Sequence, residues 1–312
     1  STLDRSSAAS DVYKRQVVGF GLLVGVGVGT VYGCTVNNSV KLFPDKRGLA
    51  GGLTTGVYGL SSVLVPPVAN VMIRNWGVSA AFQIIAVCFA VVLLLASAFV
   101  EQGPEEAGQM LPGGGRDMSW REMLCQKKFY GMCAMLLCGG LSGMMVISSA
   151  SDMAQVEAGF SPAAAALMVS VLSLFNAGGR ASAGILSDKL GRIGTLSLVF
   201  PISVAALCAL FFFGQDSMAV FAVSIALVGA CFGALMGIFP GFTADEFGQR
   251  NNTVNYGILF FGFALSGMLG PQVASWVMSG TGSYRSAFLI AAVVALAGFA
   301  FTFLHRRLAA RS

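Results

Sequence analysis

Residues 184–192 read GILSDKLGR and join two long apolar stretches, 162–186 and 195–214. Neither stretch contains Asp, Glu or Lys, and Arg180 is the one cation within them. A bilayer core about 30 Å thick is crossed by about 20 helical residues, because each residue adds about 1.5 Å. The segment therefore predicts a very short charged turn between two membrane-spanning helices, with Gly191 supplying the conformational freedom that the turn needs.

Apolar stretches of the same kind continue through the sequence, and none shows the alternation of a β-barrel strand. Besides the two above, they cover 17–36, 49–72, 78–100, 129–150, 218–242, 254–278 and 286–304. Of the 312 residues, 55% are hydrophobic and 11% are charged. Soluble domains carry about 25% charged residues, so this composition excludes a soluble globular protein and a disordered chain. The sequence predicts an all-α polytopic membrane protein with nine transmembrane helices in the lipid bilayer.

Lysine and arginine collect in alternate loops, a bias that marks the cytoplasmic side of membrane proteins. One set of loops contains Lys41, Lys46, Arg47, Arg116, Arg121, Lys127, Lys128, Lys189, Arg192, Arg250, Arg306, Arg307 and Arg311, whereas the opposite set contains Arg74 and Arg285. The first set predicts the cytoplasmic side and places the C-terminus there. Residues 1–16 break the pattern and resemble a translated linker rather than native sequence, so they are excluded from the interpretation.

The chain resembles itself at an offset of 204 residues. The shift pairs Gly25 with Gly229, Gly29 with Gly233, Gly33 with Gly237, Phe43 with Phe247, Ser62 with Ser266 and Pro67 with Pro271. Glycines four residues apart mark a helix face that another backbone approaches closely. Three further spans, within 129–214, precede the second copy, and none precedes the first. The repeat therefore predicts a twelve-helix transporter that lacks its first three helices, with a substrate site midway through the membrane.

The same repeat predicts how the chain is divided. Residues 17–100 form the second half of an N-terminal six-helix bundle (helices 4–6), and residues 129–312 form a C-terminal bundle (helices 7–12). Residues 101–128 form a cytoplasmic central loop, whose last part, 117–128, is amphipathic enough to lie on the inner leaflet. We expect that the 312-residue chain alone does not transport, because part of one bundle's cavity wall is missing.

The turn at 184–192 resembles the G-x-L-x-D-R-x-G-R motif of the major facilitator superfamily. The resemblance implies a fold of two six-helix bundles and a conformational gate built from Gly184, Asp188, Lys189, Gly191 and Arg192. Asp188 can pair with a nearby arginine or face a helix N-terminus. Such a charged contact can hold helix ends together in one state and release them in another. The alternative is a solvated basic loop that only fixes the topology.

Further strings resemble the oxalate/formate antiporter family, and monocarboxylate transporters share parts of them. They are Tyr32-Gly33, the loop motif 41–48 (KLFPDKRG, with Phe43, Pro44, Lys46, Arg47 and Gly48), Asp245–Gly248 (DEFG), Asn255–Leu259 (NYGIL) and Gly270-Pro271. Together these strings cover the chain from Val17 onward. They imply a secondary transporter of small organic anions in the inner membrane of a bacterium.

Arg180 is the candidate for binding the anion. It precedes Asp188 by eight residues, so about 12 Å of helix separates it from the turn. A cation at this depth costs at least about 2.5–3.5 kcal/mol and should face a cavity or a partner. Its planar fork suits a carboxylate, and the resemblance implies that it binds the substrate carboxylate. The alternative is an arginine that extends to the cytoplasmic surface.

Two departures from the family pattern indicate which kind of anion is carried and how its transport is coupled. Phe263 occupies the place where oxalate carriers have a lysine, so one cation for one carboxylate favours a monoanion such as formate, pyruvate or lactate. Asn176 replaces the aspartate that proton-coupled monocarboxylate transporters have one turn before the arginine. Because Asn176 cannot titrate, exchange is favoured over proton symport. Tyr32 and Tyr256 are candidate cavity residues, although a tyrosine in a span is more often packed or interfacial.

The sequence thus predicts a monomeric alternating-access exchanger of monocarboxylates. A facilitator-type exporter of drugs or other solutes and a proton-coupled monocarboxylate symporter are the alternatives. An enzyme is not expected, because the chain has no H-E-x-x-H motif and no serine–histidine or cysteine–histidine set. The seven cysteines form no C-x-x-C pair and His305 is the only histidine, so no metal and no cofactor is expected. No nucleic-acid partner is expected either.

Overall fold

The computed structural model describes residues 16–99 and 117–309, and every regular element in these ranges is helical. The helices are α1 (Val17–Val24, wound as a π-helix), α2 (Gly25–Leu42), α3 (Arg47–Ser97), α4 (Trp120–Leu124), α5 (Lys127–Ile147), α6 (Ala150–Ala158), α7 (Pro162–Leu190), α8 (Arg192–Phe213), α9 (Met218–Phe247), α10 (Asn252–Leu259), α11 (Phe261–Thr281) and α12 (Arg285–Ala309). The all-α prediction is confirmed for these residues. The predicted linker-derived segment 1–16, apart from Gln16, and most of the predicted central loop lie outside the described residues.

The described residues contain eight helical stretches that are long and apolar enough to cross a membrane. The prediction of nine spans differs because 49–72 and 78–100 both fall in α3. With 51 residues, α3 would be about 77 Å long, more than twice the thickness of the bilayer core. Gly77 interrupts it with φ 79° and ψ 167°, a backbone conformation that glycine adopts without strain. The two predicted spans therefore meet at Gly77.

The turn that decides the fold forms as predicted. Ser161 caps the start of α7 by accepting a hydrogen bond from the Ala164 backbone N–H at 3.3 Å, and Pro162 occupies the first helical position. At the other end, Gly191 has φ 77° and separates α7 from α8 by a single residue. The chain can reverse this sharply because a residue without a Cβ tolerates positive φ.

The helix α9 lies at the centre of the described bundle, where it contacts α3, α5, α7 and α8. Its glycine face packs directly on the backbone of α7. A Cβ at Gly229, Gly233 or Gly237 would collide with the carbonyl oxygens of Leu172, Asn176 and Arg180, respectively. The close backbone approach expected from the glycine spacing is thus confirmed for the second copy of the repeat.

A buried carboxylate fastens the end of the bundle opposite to the 184–192 turn. Glu157, at the end of α6, is 7% exposed. It accepts hydrogen bonds from the Tyr284 backbone N–H at 2.5 Å, from Ser283 Oγ at 2.9 Å and from Gln215 Nε2 at 2.5 Å. Because Tyr284 precedes α12, the carboxylate faces a helix N-terminus, where negative charge is stabilising. Sequence analysis did not identify this contact.

The predicted amphipathic segment contains the short helix α4. Ser119 and Glu122 form a reciprocal capping box at its start. Met123 is fully buried within the protein, whereas Trp120 is exposed and stacks with Arg121. The backbone N–H of Met118 donates to the Phe247 carbonyl at 2.9 Å, so the segment is joined to the end of α9.

Candidate functional site

Arg180 lies in α7 at the level where three helices meet. Its backbone carbonyl is flanked by Gly52 of α3 and Gly237 of α9, and a Cβ at either glycine would collide with that oxygen. The helices therefore approach α7 at backbone distance from two sides, which fixes the origin of the arginine side chain. The residue is 9% exposed. A cation this deep in a membrane helix needs a polar partner.

The nearest partner of the guanidinium is on the same helix. Asn176 Oδ1 accepts a hydrogen bond from Arg180 Nε at 3.0 Å. Residues four apart share a helix face, so the amide holds one edge of the fork and leaves the terminal nitrogens free to point elsewhere. This contact lets Asn176 orient the guanidinium, and the amide adds no negative charge.

Tyrosines from three other helices face the guanidinium. Tyr32 of α2, Tyr58 of α3 and Tyr256 of α10 lie close enough for their hydroxyls to interact with its charge. The Tyr32 and Tyr58 rings meet edge to face, with centroids 5.2 Å apart. The Tyr256 hydroxyl is buried beside the Tyr32 hydroxyl, although the two do not meet the full geometry of a hydrogen bond. Its donor capacity is therefore only partly used by the protein.

Two phenylalanines extend the aromatic wall beyond the tyrosines. Phe260 packs against Tyr32 at 5.9 Å and against Tyr256 at 5.4 Å between ring centroids. Phe263 stacks on Phe260 at 4.6 Å and also meets Phe232 of α9 at 5.9 Å. Among the described residues, the structure thus brings all five predicted substrate-site residues, Arg180, Asn176, Tyr32, Tyr256 and Phe263, into one cluster.

Sequence analysis missed Tyr58, Phe260 and Gly59. A signal for the first and last was available, because Gly48, Gly52, Gly56 and Gly59 mark a glycine-rich face on α3. Gly59 packs against the Arg180 side chain, and a Cβ there would lie 3.2 Å from Nε. Tyr58 is adjacent to it in sequence. The glycines predict a close helix approach, but they do not say which helix approaches.

No carboxylate pairs with Arg180 in the part of the chain that the structure describes. The groups around the guanidinium are an amide, phenol hydroxyls and aromatic rings, all uncharged. An arginine in such surroundings carries an unbalanced positive charge. The cluster therefore combines one cation with aromatic walls, which are groups that could hold a small anion.

The conformational gate predicted at 184–192 is built around Asp188. Its Oδ1 accepts the Gly48 backbone N–H at 2.8 Å, and its Oδ2 accepts the Leu49 backbone N–H at 2.8 Å. These donors are the first turn of α3, where a carboxylate is favoured by the unpaired N–H groups and the helix dipole. Gly48 and Gly184 touch at this point, and a Cβ on either would collide with the other's carbonyl.

Arg192 and Asp245 extend this contact into a charged cluster, which we define as Arg47, Asp188, Arg192 and Asp245. Arg192 Nη1 pairs with Asp188 Oδ1 at 2.8 Å, and Arg192 Nε pairs with Asp245 Oδ2 at 2.8 Å. Arg47 Nη1 pairs with the other oxygen of Asp245 at 2.9 Å. The side chains of Arg192 and Arg47 are each 10% exposed, so these two arginines are largely shielded from solvent. Asp245 is not among the gate residues that the sequence predicts.

The remaining gate and loop residues take no part in these ion pairs. Lys189, Phe43, Pro44 and Lys46 are exposed. Phe43 to Lys46 form a turn before α3, where Pro44 begins a single 3₁₀ turn. Of the predicted loop motif, only Arg47 and Gly48 reach the charged cluster.

A polar contact beside the charged cluster joins α2 to α10. Asn37 donates through Nδ2 to Thr253 Oγ1 at 2.5 Å, and its Oδ1 accepts from Asn252 Nδ2 at 3.0 Å. Asn37 is 8% exposed and Asn252 is 2% exposed. The chain segments before and after residue 117 are thus joined at this end by a polar and a charged contact.

The family profile described as Major Facilitator Superfamily matches residues 8–271. The chain belongs to the Major Facilitator Superfamily. The fold inferred from the 184–192 motif is therefore confirmed. The fucose:proton symporter FucP of Escherichia coli shares this fold, with a TM-score of 0.62 at 17% identity over 86% of this chain and 72% of that one.

Curated relatives in the superfamily are transporters and not enzymes. The chain is 30% identical to the MFS-type transporter YhjX of Escherichia coli over 83% of its own length and 64% of that protein. It is 29% identical to the oxalate:formate antiporter of Oxalobacter formigenes, over 89% of this chain and 66% of that one. Monocarboxylate transporter 12 of Rattus norvegicus is 23% identical, over 93% and 65%. The chain thus spans slightly less than two-thirds of the length of these relatives.

The described residues contain no group of three or more His, Cys, Asp or Glu side chains that could hold a metal ion. His305 lies 3.5 Å from Glu246 Oε1, and Lys128 pairs with the other oxygen of Glu246 at 3.4 Å. This contact ties α5, α9 and α12 together next to Asp245. The candidate site therefore consists of the Arg180 cluster together with the charged cluster.

Proposed function

We propose that this protein is a secondary transporter that exchanges small monocarboxylates by alternating access. The observation that carries the proposal is the buried, unpaired guanidinium of Arg180, oriented by Asn176 and faced by three tyrosines. A bidentate arginine–carboxylate contact would supply the missing negative charge. The similarity to an oxalate:formate antiporter and to a monocarboxylate transporter supports a carboxylate as the anion.

The charge of the site favours a monoanion over a dianion. Phe263, where the antiporter family has a lysine, contributes a ring to the aromatic wall instead of a second cation. A second carboxylate buried against Phe260 and Phe263 would be left without a partner, at a cost of several kcal/mol. Formate, pyruvate or lactate would place one carboxylate on Arg180 and an apolar end, if any, on the rings.

The surroundings of Arg180 favour exchange over proton symport. A proton relay through a membrane protein normally uses a carboxylate or histidine in the path. The group one turn before the arginine is the amide of Asn176, and the other polar neighbours are phenols. With the guanidinium permanently charged, returning the empty site across the membrane would be unfavourable. A second anion bound to Arg180 removes that penalty, which is the requirement for exchange.

The charged cluster would act as the gate of this cycle. It joins the start of α3, the turn after α7 and the end of α9, so it closes one end of the helices. The distribution of lysine and arginine in the loops supports assigning that end to the cytoplasm, with the C-terminus on the same side and the protein in a bacterial inner membrane. Opening would exchange these contacts for water. We further propose that residues 17–100 and 129–312 are parts of two rocking bundles and that the transporter works as a monomer.

Counterflow in proteoliposomes tests the proposal. The protein at its natural length is reconstituted, and vesicles loaded with formate, pyruvate, lactate or oxalate are assayed for uptake of the labelled anion. We expect monocarboxylate exchange that Arg180→Ala lowers by roughly 100-fold, because the buried carboxylate loses its charged partner. Arg74→Ala is the matched control, since Arg74 is exposed at the other end of the spans.

The outcomes separate the candidate functions. Oxalate preferred over every monocarboxylate would contradict the assignment of a monoanion. Uptake driven by a proton gradient without internal anion would support the symporter. Absence of exchange for all four anions, in protein shown to be folded, would favour an exporter of drugs or other solutes.

A further inference from the structure

We propose that Gly59 is a positioning residue that fixes the guanidinium of Arg180 and thereby sets which monocarboxylates fit the site. The inference rests on the proposed function, because it assumes that Arg180 binds the substrate carboxylate. Gly59 lies on α3, and Arg180 lies on α7, so the contact joins the two chain segments that the repeat assigns to different bundles. A Cβ at Gly59 would lie 3.2 Å from Arg180 Nε, 3.5 Å from Cδ and 3.6 Å from Cζ.

Gly59 differs in kind from the other glycines on its helix face. A Cβ at Gly52 would meet the backbone carbonyl of Arg180, and one at Gly56 would meet the backbone carbonyl of Ala177 at 3.2 Å. These two glycines allow the helices to approach. The described neighbours of Gly59 within 3.6 Å are instead side-chain atoms of the arginine. Its missing Cβ therefore makes room for the functional group.

The guanidinium is held from two sides at this position. Asn176 Oδ1 binds Nε at 3.0 Å from its own helix, and Gly59 limits the same atom from α3. A Cβ at residue 59 would lie closer to Nε than most Cβ atoms lie to their neighbours. The flexible arginine side chain would therefore shift by a few tenths of an ångström. The fold can absorb that shift. A bidentate contact with a planar carboxylate depends on the angle of the fork and cannot absorb it equally well.

The location of the contact also links binding to closure. Gly59 reaches the guanidinium only while α3 lies against α7, which is the arrangement that the charged cluster holds at one end of these helices. When α3 and α7 separate, Gly59 no longer restricts the guanidinium of Arg180, and the side chain can adopt more conformations. The substrate carboxylate would therefore meet a fixed fork in one state and a mobile fork in the other.

The test compares two alanine variants one turn apart. Gly59→Ala and Gly56→Ala both introduce a methyl group with its nearest contact at 3.2 Å, but the first meets the guanidinium and the second meets backbone. For Gly59→Ala we expect KM for pyruvate and lactate exchange to rise roughly fivefold with kcat within about twofold of wild type, because only the orientation of the fork changes. KM for formate, which has no apolar end to fit, should rise less. Gly56→Ala should change KM by less than about twofold.

A double-variant cycle tests the same contact a second time. Asn176→Ser removes the atom that binds Nε from α7, so the arginine side chain can move away from a methyl group at residue 59. The effect of Gly59→Ala on KM should then be smaller in the Asn176→Ser background than in wild type. Additive effects in the cycle, or equal changes in KM for the two single variants, would overturn the proposal.

Failure of the positioning role and failure of the proposed function give different results. If Arg180→Ala leaves exchange intact, the arginine does not bind the substrate and both proposals fall. If Arg180→Ala abolishes exchange while Gly59→Ala behaves like Gly56→Ala, the proposed function stands and only the role of Gly59 is lost.

Discussion

Two helices of this protein carry the same glycine spacing, 204 residues apart, and they differ in what faces it. Gly229, Gly233 and Gly237 of α9 are in backbone contact with α7. On α2, Gly25 and Gly29 have no described atom near the place of a Cβ, and a Cβ at Gly33 would meet only Thr253 Cγ2, at 3.8 Å. The side chains between these glycines differ in exposure in the same way: Val26 of α2 is 62% exposed, whereas Phe232 of α9 is 5% exposed.

The comparison shows that glycine spacing creates a helix face suited to close packing. Whether that face is buried depends on whether a neighbouring helix lies against it. The internal repeat predicts that the face on α2 also receives a helix, equivalent by symmetry to α7. The copy on α9 packs on α7 next to Arg180, and α2, whose first half is exposed, contributes Tyr32 to the same cluster. One wall of the anion site is thus fixed by dense packing and the other by a few polar and aromatic contacts.

The largest expected effect comes from disrupting the contact between the glycine face of α9 and α7. Gly233→Leu would drive a side chain into the Asn176 carbonyl, so we expect a loss of about 3 kcal/mol in stability and disordering of the α7–α9 contact. The matched change is Gly29→Leu, at the symmetry-related position. Thermal unfolding of purified protein in detergent compares the two. Equal destabilisation would show that the α2 face is filled to the same degree as the α9 face.

A smaller effect is expected at the junction between the two regions. Asp188→Asn keeps the shape but removes the charge that binds Arg192 and the first N–H groups of α3, so the closed end should weaken by about 1.5–3 kcal/mol. Cysteines introduced at the charged end would report this as faster labelling by a water-soluble reagent. Lys189→Gln is the control, because Lys189 is exposed and forms no ion pair among the described residues. Identical labelling of both variants would argue against a gate.

The charge beside α9 can be changed at Phe263 of α11, whose ring packs on Phe232. Phe263→Lys would add a second cation to the aromatic wall of the Arg180 cluster, so oxalate should compete with formate about tenfold better than in wild type. Phe263→Met keeps an apolar side chain of similar size and should leave the competition unchanged. Inhibition of labelled formate exchange by unlabelled oxalate measures both. If the lysine variant gains no oxalate affinity, residue 263 does not face the bound anion.

The smallest effect concerns the partly used hydroxyl on α10. If Tyr256 donates to the bound carboxylate, Tyr256→Phe should raise KM by roughly threefold, since a hydrogen bond contributes about 1 kcal/mol. If the hydroxyl contacts only Tyr32, its removal should leave KM unchanged and alter only the unfolding temperature. Measuring KM and thermal unfolding on the same preparation separates these results, and Tyr130→Phe, at an exposed tyrosine, controls for loss of a phenol elsewhere.

The amino-acid sequence determined those features that depend on local properties. Hydropathy located the spans, because the bilayer imposes about 20 apolar residues wherever a helix crosses it. Gly191 marked the turn between α7 and α8, because few residues other than glycine adopt its φ of 77° without strain. Arg180 stood out because a cation within an apolar run is costly, and Asn176 followed because residues four apart share a helix face. Each of these inferences concerns one residue and its near neighbours along the chain.

The tertiary structure decided which segments meet. Tyr58 and Gly59 belong to the proposed anion site only because α3 lies against α7. Asp245 belongs to the charged cluster only because the end of α9 lies between Arg47 and Arg192. Glu157 became buried because α6 lies against the start of α12. These pairings join residues tens to hundreds of positions apart, and apolar helices with similar composition present no local signal of their partner. The choice is made by close packing and by the pairing of buried polar groups, which exist only once the helices are assembled.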